Sequence, residues 1–297
     1  MTARSVAGRS TPRAYSSTRL IFIAGYVAVF LLLYLIVRAG GPLFERLLKR
    51  TAHWTASFRY RDYLPVFVIL AIGVVATAAA GDAFMDIAEV VQEESSQLHQ
   101  IDSSVHSWAH ETRSSGSTSF FTIMTVIGTP VGLAAIGVIV AVYFAFVKHW
   151  RWGAYLLLTG GIGGLLNLWL KSTFARARPE LAEALRGAHG YSFPSGHAMG
   201  STIVFGALGY LAFRYFRTWR SRAIAVAFTT SMIVAIAASR IYLGVHWISD
   251  IAGGISAGVV WLATTTVAYE TFRRIRKVRS LRAQAQLASS DRTSRGE

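Results

Sequence analysis

Lys171-Ser172-Thr173-Phe174-Ala175-Arg176-Ala177-Arg178-Pro179, then Pro194-Ser195-Gly196-His197, then Ser239-Arg240 followed by His246 and Asp250, make up the stretch on which the reading of this chain turns. Two apolar runs, 198–216 and 223–243, separate the second cluster from the last residues of the third. Each run is long enough to cross ~30 Å of hydrocarbon as a helix. Cations and imidazoles therefore sit at the ends of apolar segments, where burying them is costly unless they serve a purpose.

The same pattern extends outward in both directions. Of the 297 residues, 53% are hydrophobic and only 15% charged, against about 25% charged in an average soluble domain. Further apolar runs occupy 20–37, 64–80, 120–147, 153–170 and 247–269. The expected fold is all-α, a polytopic transmembrane helix bundle. No cysteine is present, which excludes disulfides, thiolate catalysis and cysteine-based metal sites. The formal charge of +15 would suggest nucleic acid in a soluble protein. Here the basic residues cluster in short loops between apolar runs and no nucleic-acid motif accompanies them, so they read as topology signals and no nucleic-acid partner is expected.

Loop charge sets the orientation. The basic segments 38–63, 148–152, 214–222 and 272–282 belong on the cytoplasmic side, and 81–119, with seven of the fifteen acidic residues, falls outside. The run 20–37 is too long for the apolar region of a signal peptide, roughly 7–15 residues, and ends in Val37-Arg38-Ala39-Gly40-Gly41 without a cleavage pattern. It is read as a seventh span added to a six-helix core, although it sends Arg4, Arg9, Arg13 and Arg19 outside, against the charge rule. The expected divisions are a disordered tail at 1–19, an N-terminal helix and basic linker at 20–63, a core domain at 64–272 and a polar, disordered basic tail at 273–297. Within the core, 120–147 reads as one span with Pro130 near its start. Gly160, Gly161, Gly163 and Gly164, and again Gly254 and Gly258, are spaced for close helix contact. Ile101, Val105 and Trp108 fit an amphipathic helix on the membrane surface.

This topology puts 171–197 and 239–247 on one non-cytoplasmic face, where they can form one site. Lys171, Arg178 and Arg240, with Arg176 and Arg186 nearby and no carboxylate cluster to neutralise them, suit an anion, and phosphate above all. Taken singly, such residues also serve as headgroup anchors. Gly196 allows close backbone approach at the start of a helix, a ready anion site, while Ser195 also suits a plain N-cap. His246 and Asp250 lie four apart on one helical face, so the carboxylate can fix the imidazole tautomer and make the other nitrogen more nucleophilic. A helix-stabilising pair is the competing account. No cysteine and no His-Glu-x-x-His pattern supports a metal. The remaining histidines receive no role, with His189 marked by its place in the loop before Pro194.

Taken together, the three clusters resemble the signature of the type 2 phosphatidic acid phosphatase (PAP2) family: Lys171 with Arg178-Pro179, Pro194-Ser195-Gly196-His197, and Ser239-Arg240 with His246 and Asp250. The resemblance covers roughly residues 64–269 as a six-helix core and leaves the helix at 20–37 outside it. It implies an integral membrane phosphatase acting on a lipid phosphate or diphosphate in the bilayer, of the phosphatidic acid, phosphatidylglycerophosphate or undecaprenyl diphosphate type. It implies His246 as nucleophile forming a phosphohistidine, Asp250 as its orienting partner, and His197 as acid and then base. Lys171, Arg178, Arg240, Ser195 and Gly196 would hold the phosphoryl oxygens, with no metal and no cofactor. The expected place is a bacterial inner membrane, with the site on its outer, periplasmic face. A lipid phosphotransferase using the same site and a non-catalytic lipid transporter or binding protein are the other readings; a vanadate-dependent peroxidase shares the site type but is usually soluble.

Overall fold

Nine helices are built from these runs among the described residues: α1 (Phe30–Leu43), α2 (Leu64–Gln92), α3 (Ser96–Glu111), α4 (Ser115–Ile127), α5 (Pro130–Phe146), α6 (Trp150–Phe174), α7 (Gly196–Tyr215), α8 (Trp219–Tyr242) and α9 (Ile248–Arg295). The structure, a computed structural model, describes residues 27–28, 30–43, 46, 64–179 and 190–295, without side chains at 64–69, 282 and 285–295. The tail expected at 1–19, the first part of the span expected at 20–37, almost all of the linker at 44–63, and Arg186 and His189 lie outside the described residues.

Five helices are long and apolar enough to cross a membrane, and α4 with α5 makes a sixth span if the bent pair counts as one. The span expected at 120–147 is bent: its two parts meet at an angle of 61°. Local chemistry explains the break. Gly128 closes α4, the Thr129 side chain caps α5 by accepting the Gly132 N–H at 3.0 Å, and Pro130, which lacks an N–H, occupies the first turn.

One expected helix runs beyond its apolar segment, and one expectation is corrected. The acidic segment after residue 80 is helical almost throughout, because α2 runs on to Gln92. Its extension buries Ala88 and Val91 against Phe193, with Phe84 beside them, an inward face at i, i+4, i+7 that the acidic residues mask in the sequence. The basic tail expected to be disordered continues α9 to Arg295, making it a helix of 48 residues. No glycine or proline interrupts the chain between Gly258 and Arg295, and the segment is rich in good helix formers.

α7 lies at the centre and packs against α5, α6, α8 and α9, while α2 lies along α9. Leu156, Ala207 and Leu211 fill the core towards one end of the bundle, and Leu170, Met199, Ile203 and Ala257 towards the other. Glu270 ties the end of α7 to the middle of α9 by accepting from Arg214 (2.7 Å) and Tyr210 (2.9 Å), with Arg273 and Arg274 completing its neutralisation. The end of α1 meets the start of α8, where Gly41 lies directly against the Trp219 ring.

The glycines divide into two kinds. A Cβ at Gly163 would lie 2.6 Å from Ile203, and one at Gly258 would lie 2.8 Å from Thr202, so these do permit close helix contact. Gly161 and Gly164 meet nothing within 4 Å; they line an open groove instead. Gly254 is the tightest point between α9 and the start of α7, where a Cβ would stand 2.7 Å from the Ser195 carbonyl oxygen and 3.0 Å from the Ala198 Cβ. Backbone atoms cannot give way as a flexible side chain does. Gly254→Ala is expected to cost about 1–3 kcal/mol, read as a lower unfolding temperature in detergent, whereas Gly161→Ala leaves it unchanged or raised. Equal unfolding temperatures for wild type and Gly254→Ala would contradict this packing.

Candidate active site

The last turn of α6 presents Lys171, whose Nζ donates to the carbonyls of Tyr191 at 2.6 Å and Ser192 at 3.2 Å. α6 then stops at Ala175, which takes the left-handed conformation (φ 45°, ψ 28°) and turns the chain so that Arg176 and Arg178 serve different partners. Arg178 holds the carbonyls of Gly190 (2.9 Å) and Tyr191 (3.2 Å) through Nε and Nη2. Its Nη1 donates to the Val245 carbonyl at 2.7 Å and to His246 Nε2 at 3.0 Å.

That last contact fixes the imidazole tautomer. A guanidinium can only donate, so Nε2 accepts and the ring proton sits on Nδ1. Nδ1 then donates to Asp250 Oδ2 at 3.2 Å, and the same oxygen takes the Trp247 N–H at 2.9 Å. The neutral imidazole thus points its lone pair toward a cation-lined space, the state a nucleophile needs.

Pro194 to His197 is bound to the same centre. The Ser195 N–H donates to the Asp250 carbonyl at 3.0 Å, and the Ser195 side chain caps α7 by accepting from the Ala198 N–H. The plain capping account of Ser195 is thus what its acceptor lone pair does, and its own O–H is left to donate. A Cβ at Gly196 would stand 2.8 Å from Asn167 Oδ1 and 3.7 Å from Lys171 Cε, so the backbone passes close beneath the lysine. His197 bonds the Thr125 backbone and its Nε2 is buried with no hydrogen-bond partner. Arg240, in the last turn of α8, donates through Nη1 to the Thr125 hydroxyl.

The eight sequence-predicted residues therefore converge where α6, α7, α8 and α9 meet. Lys171 feels the charges of Arg178, Asp250 and Arg240, and His197 those of Arg240, His246 and Arg178. A cavity of about 640 Å³ adjoins them, lined by Arg176, Arg178, Trp247, Phe174, His99 and Glu94. A second, of about 540 Å³, runs between α5 and α6 past Leu133, Leu157, Gly161 and Gly164, and ends at Asn167 and Gly196.

One expectation about charge is corrected. The cations do have carboxylate neighbours: Arg176 pairs with Asp102 and Asp250, each at 2.8 Å. Arg176 was named only as a cation near the clamp, and Asp102, Thr125, Asn167 and Ser249 were not singled out in the sequence. Asn167 carried a usable signal, since it lies four residues before Lys171 on one helical face. Thr125 was a polar residue in an apolar run, and Asp102 sat on the face of α3 opposite Ile101 and Trp108, both exposed. Among the described residues no three His, Cys, Asp or Glu side chains converge in a way that would hold a metal ion.

Comparison with known proteins follows the same residues. Positions 152–274 match the family model described as the PAP2 superfamily. Phosphatidylglycerophosphatase B of Bacillus subtilis (strain 168) is 32% identical over 146 residues, which is 49% of this chain and 71% of that protein. The putative undecaprenyl-diphosphatase YbjG of Escherichia coli (strain K12) is 37% identical over 79 residues, covering 27% of this chain and 35% of that protein. The crystal structure of a transmembrane PAP2 type phosphatidylglycerolphosphate phosphatase from Bacillus subtilis superposes with a TM-score of 0.60 at 26% identity, covering 64% of this chain and 94% of that one.

Burial pushes the His246 imidazole down from its usual 6.5 to about 4, against the opposing pull of Asp250. The unfolded imidazole takes its proton at the usual value, so between that value and about 4 the unfolded state binds more protons and acidification destabilises the fold. The ring nitrogen signals of His246 in 15N-histidine-labelled protein, identified by their loss in His246→Ala, are expected to remain those of neutral imidazole at about pH 5.5. A titration midpoint near the usual value would contradict the burial argument.

Proposed function

From the chain's membership of the PAP2 superfamily, we propose that it is an integral membrane phosphatase that hydrolyses a lipid phosphate or diphosphate through a phosphohistidine on His246. The observation that carries this reading is the environment of His246: Nδ1–H bonded to Asp250, Nε2 beside the Arg178 guanidinium, and the unpartnered Nε2 of His197 within the same charged cluster.

In the first step His246 Nε2 attacks phosphorus, a P–N bond forms and the P–O bond to the lipid breaks. His197 Nε2, protonated, gives its proton to the leaving oxygen. In the second step His197 takes a proton from water, the oxygen attacks phosphorus, and the P–N bond breaks to release inorganic phosphate. Lys171, Arg178 and Arg240, with the Ser195 hydroxyl and the Gly196 N–H, stabilise the charge on the equatorial oxygens. Phosphoryl transfer depends mainly on such positioning and charge stabilisation. Metal independence belongs to the proposal, because these cations meet the phosphoryl charge directly.

The apolar groove between α5 and α6, closed at its end by Gly196 and Asn167, suits an acyl or prenyl chain whose phosphate sits among the cations. With the relatives named above, it favours phosphatidic acid, phosphatidylglycerophosphate or undecaprenyl diphosphate as the substrate class. Residues 64–272 would form the catalytic unit, with the N-terminal helix and basic linker at 20–63 and the basic tail at 273–297 appended to it. The loop charges support a site on the outer face of the membrane, and the bacterial relatives support a bacterial inner membrane.

Purified full chain in detergent is expected to release phosphate from at least one of these three lipids, and to continue in EDTA. His246→Ala and His197→Ala should each lower the rate by about 10²-fold or more. Undiminished release by both variants would overturn the assignment of the site, and abolition by EDTA would overturn metal independence.

A further inference from the structure

α3 reaches the catalytic pair through a line of buried charge that starts at Asp102, outside the three sequence clusters. Asp102 is 1% exposed. Its Oδ2 accepts from Arg176 Nη2 at 2.8 Å and from Ser249 Oγ at 2.7 Å, and its Oδ1 takes the Ser249 N–H at 3.1 Å. Arg176 Nη1 spans the other side, donating to Asp250 Oδ1 at 2.8 Å and to Ser249 Oγ at 2.7 Å. Asp250, fully buried, keeps Oδ2 for His246 and the Trp247 N–H. Trp247 is in turn held by His99 and His106 of α3, with ring centroids 6.1 and 5.7 Å away, and by Arg176.

Charge decides what this arrangement does. Arg176 alone would cancel Asp250, and His246 would face a neutral pair. With Asp102 on its far side, Arg176 is shared by two carboxylates and the group carries a net charge of −1. Attack by Nε2 leaves the imidazole ring positive and still protonated at Nδ1, so the remaining negative charge is needed most after the P–N bond begins to form. We infer that Asp102 is a positioning residue of the reaction, which offsets Arg176 so that Asp250 retains its charge for His246. This rests on His246 acting as the nucleophile.

The account separates charge from tethering. Asp102→Asn keeps the side-chain shape, removes the charge and turns one accepting oxygen toward Ser249 or Arg176 into an NH2 donor, and is expected to lower kcat by roughly 10- to 100-fold while KM stays within about twofold, since Asp102 touches no part of the substrate. Arg176→Gln creates the reverse imbalance, two buried carboxylates without their cation, and is also expected to be slow. The double variant Asp102→Asn/Arg176→Gln restores balance and should turn over faster than either single variant. Ser249→Ala removes a tether and no charge, and should keep kcat within about threefold.

Full kcat in Asp102→Asn, or a double variant no faster than the slower single one, would overturn the inference. So would Ser249→Ala falling as far as Asp102→Asn, because tethering alone would then explain the loss. If Asp102→Asn does not fold, the comparison of Arg176→Gln with the double variant decides in the same way: a double variant no faster than Arg176→Gln overturns the inference. A His246→Ala control tells the two readings apart: activity retained there sinks the nucleophile itself, whereas activity lost there and retained in Asp102→Asn sinks this inference alone.

Discussion

The site depends on a carboxylate that has no access to water. Asp250 is fully buried at the start of α9, and a buried charge survives only when every lone pair is used. Its two side-chain oxygens hold His246, the Trp247 N–H and Arg176, and its carbonyl takes the Ser195 N–H. One residue thereby sets the imidazole tautomer, anchors the turn between α8 and α9, and fastens the start of α7 to the start of α9. Gly254, one turn further along α9, lets the two helices approach closely enough for that backbone bond.

The cations are organised by a second constraint, the need to satisfy loop carbonyls. Lys171 and Arg178 grip the backbone at 190–192 and at Val245, and Arg240 is fixed by Thr125 on α4. Thr125 also takes His197 through its backbone, so the bend between α4 and α5 brings one residue to both an anion clamp and the candidate acid. The break at Gly128 and Pro130 thus shapes the site as well as the span, and a Cβ at Gly128 would lie against His197 and Ile236.

The three clusters were legible because each sits at the end of an apolar run, and loop charge alone assigned them to one face. Spacing then separated His246 from Asp250 by one helical turn. What escaped was the support around them. Asp102 lies more than seventy residues before Arg176, on a helix whose sequence displayed only its apolar side, Ile101 and Trp108. Burial of an aspartate among polar neighbours leaves no periodic signature, because the partner is distant in the chain. α2 was read too short for a related reason: Asp82, Asp86 and Glu89 hid the inward row of Phe84, Ala88 and Val91. The bend within 120–147 did not show in hydropathy, which averages over a break that Gly128-Thr129-Pro130 marks locally.

The central claim is that His246 Nε2 becomes covalently phosphorylated, and trapping that bond tests it most directly. His197→Ala should be mixed with lipid labelled with 32P in its phosphate, quenched in alkali over a long time course and digested, because the variant forms the intermediate slowly without the acid but also lacks the base that activates water to hydrolyse it. The account predicts alkali-stable, acid-labile label on the peptide containing His246, and none in His246→Ala/His197→Ala. Phosphate release without label under any quench time, or label on a different residue, would contradict it.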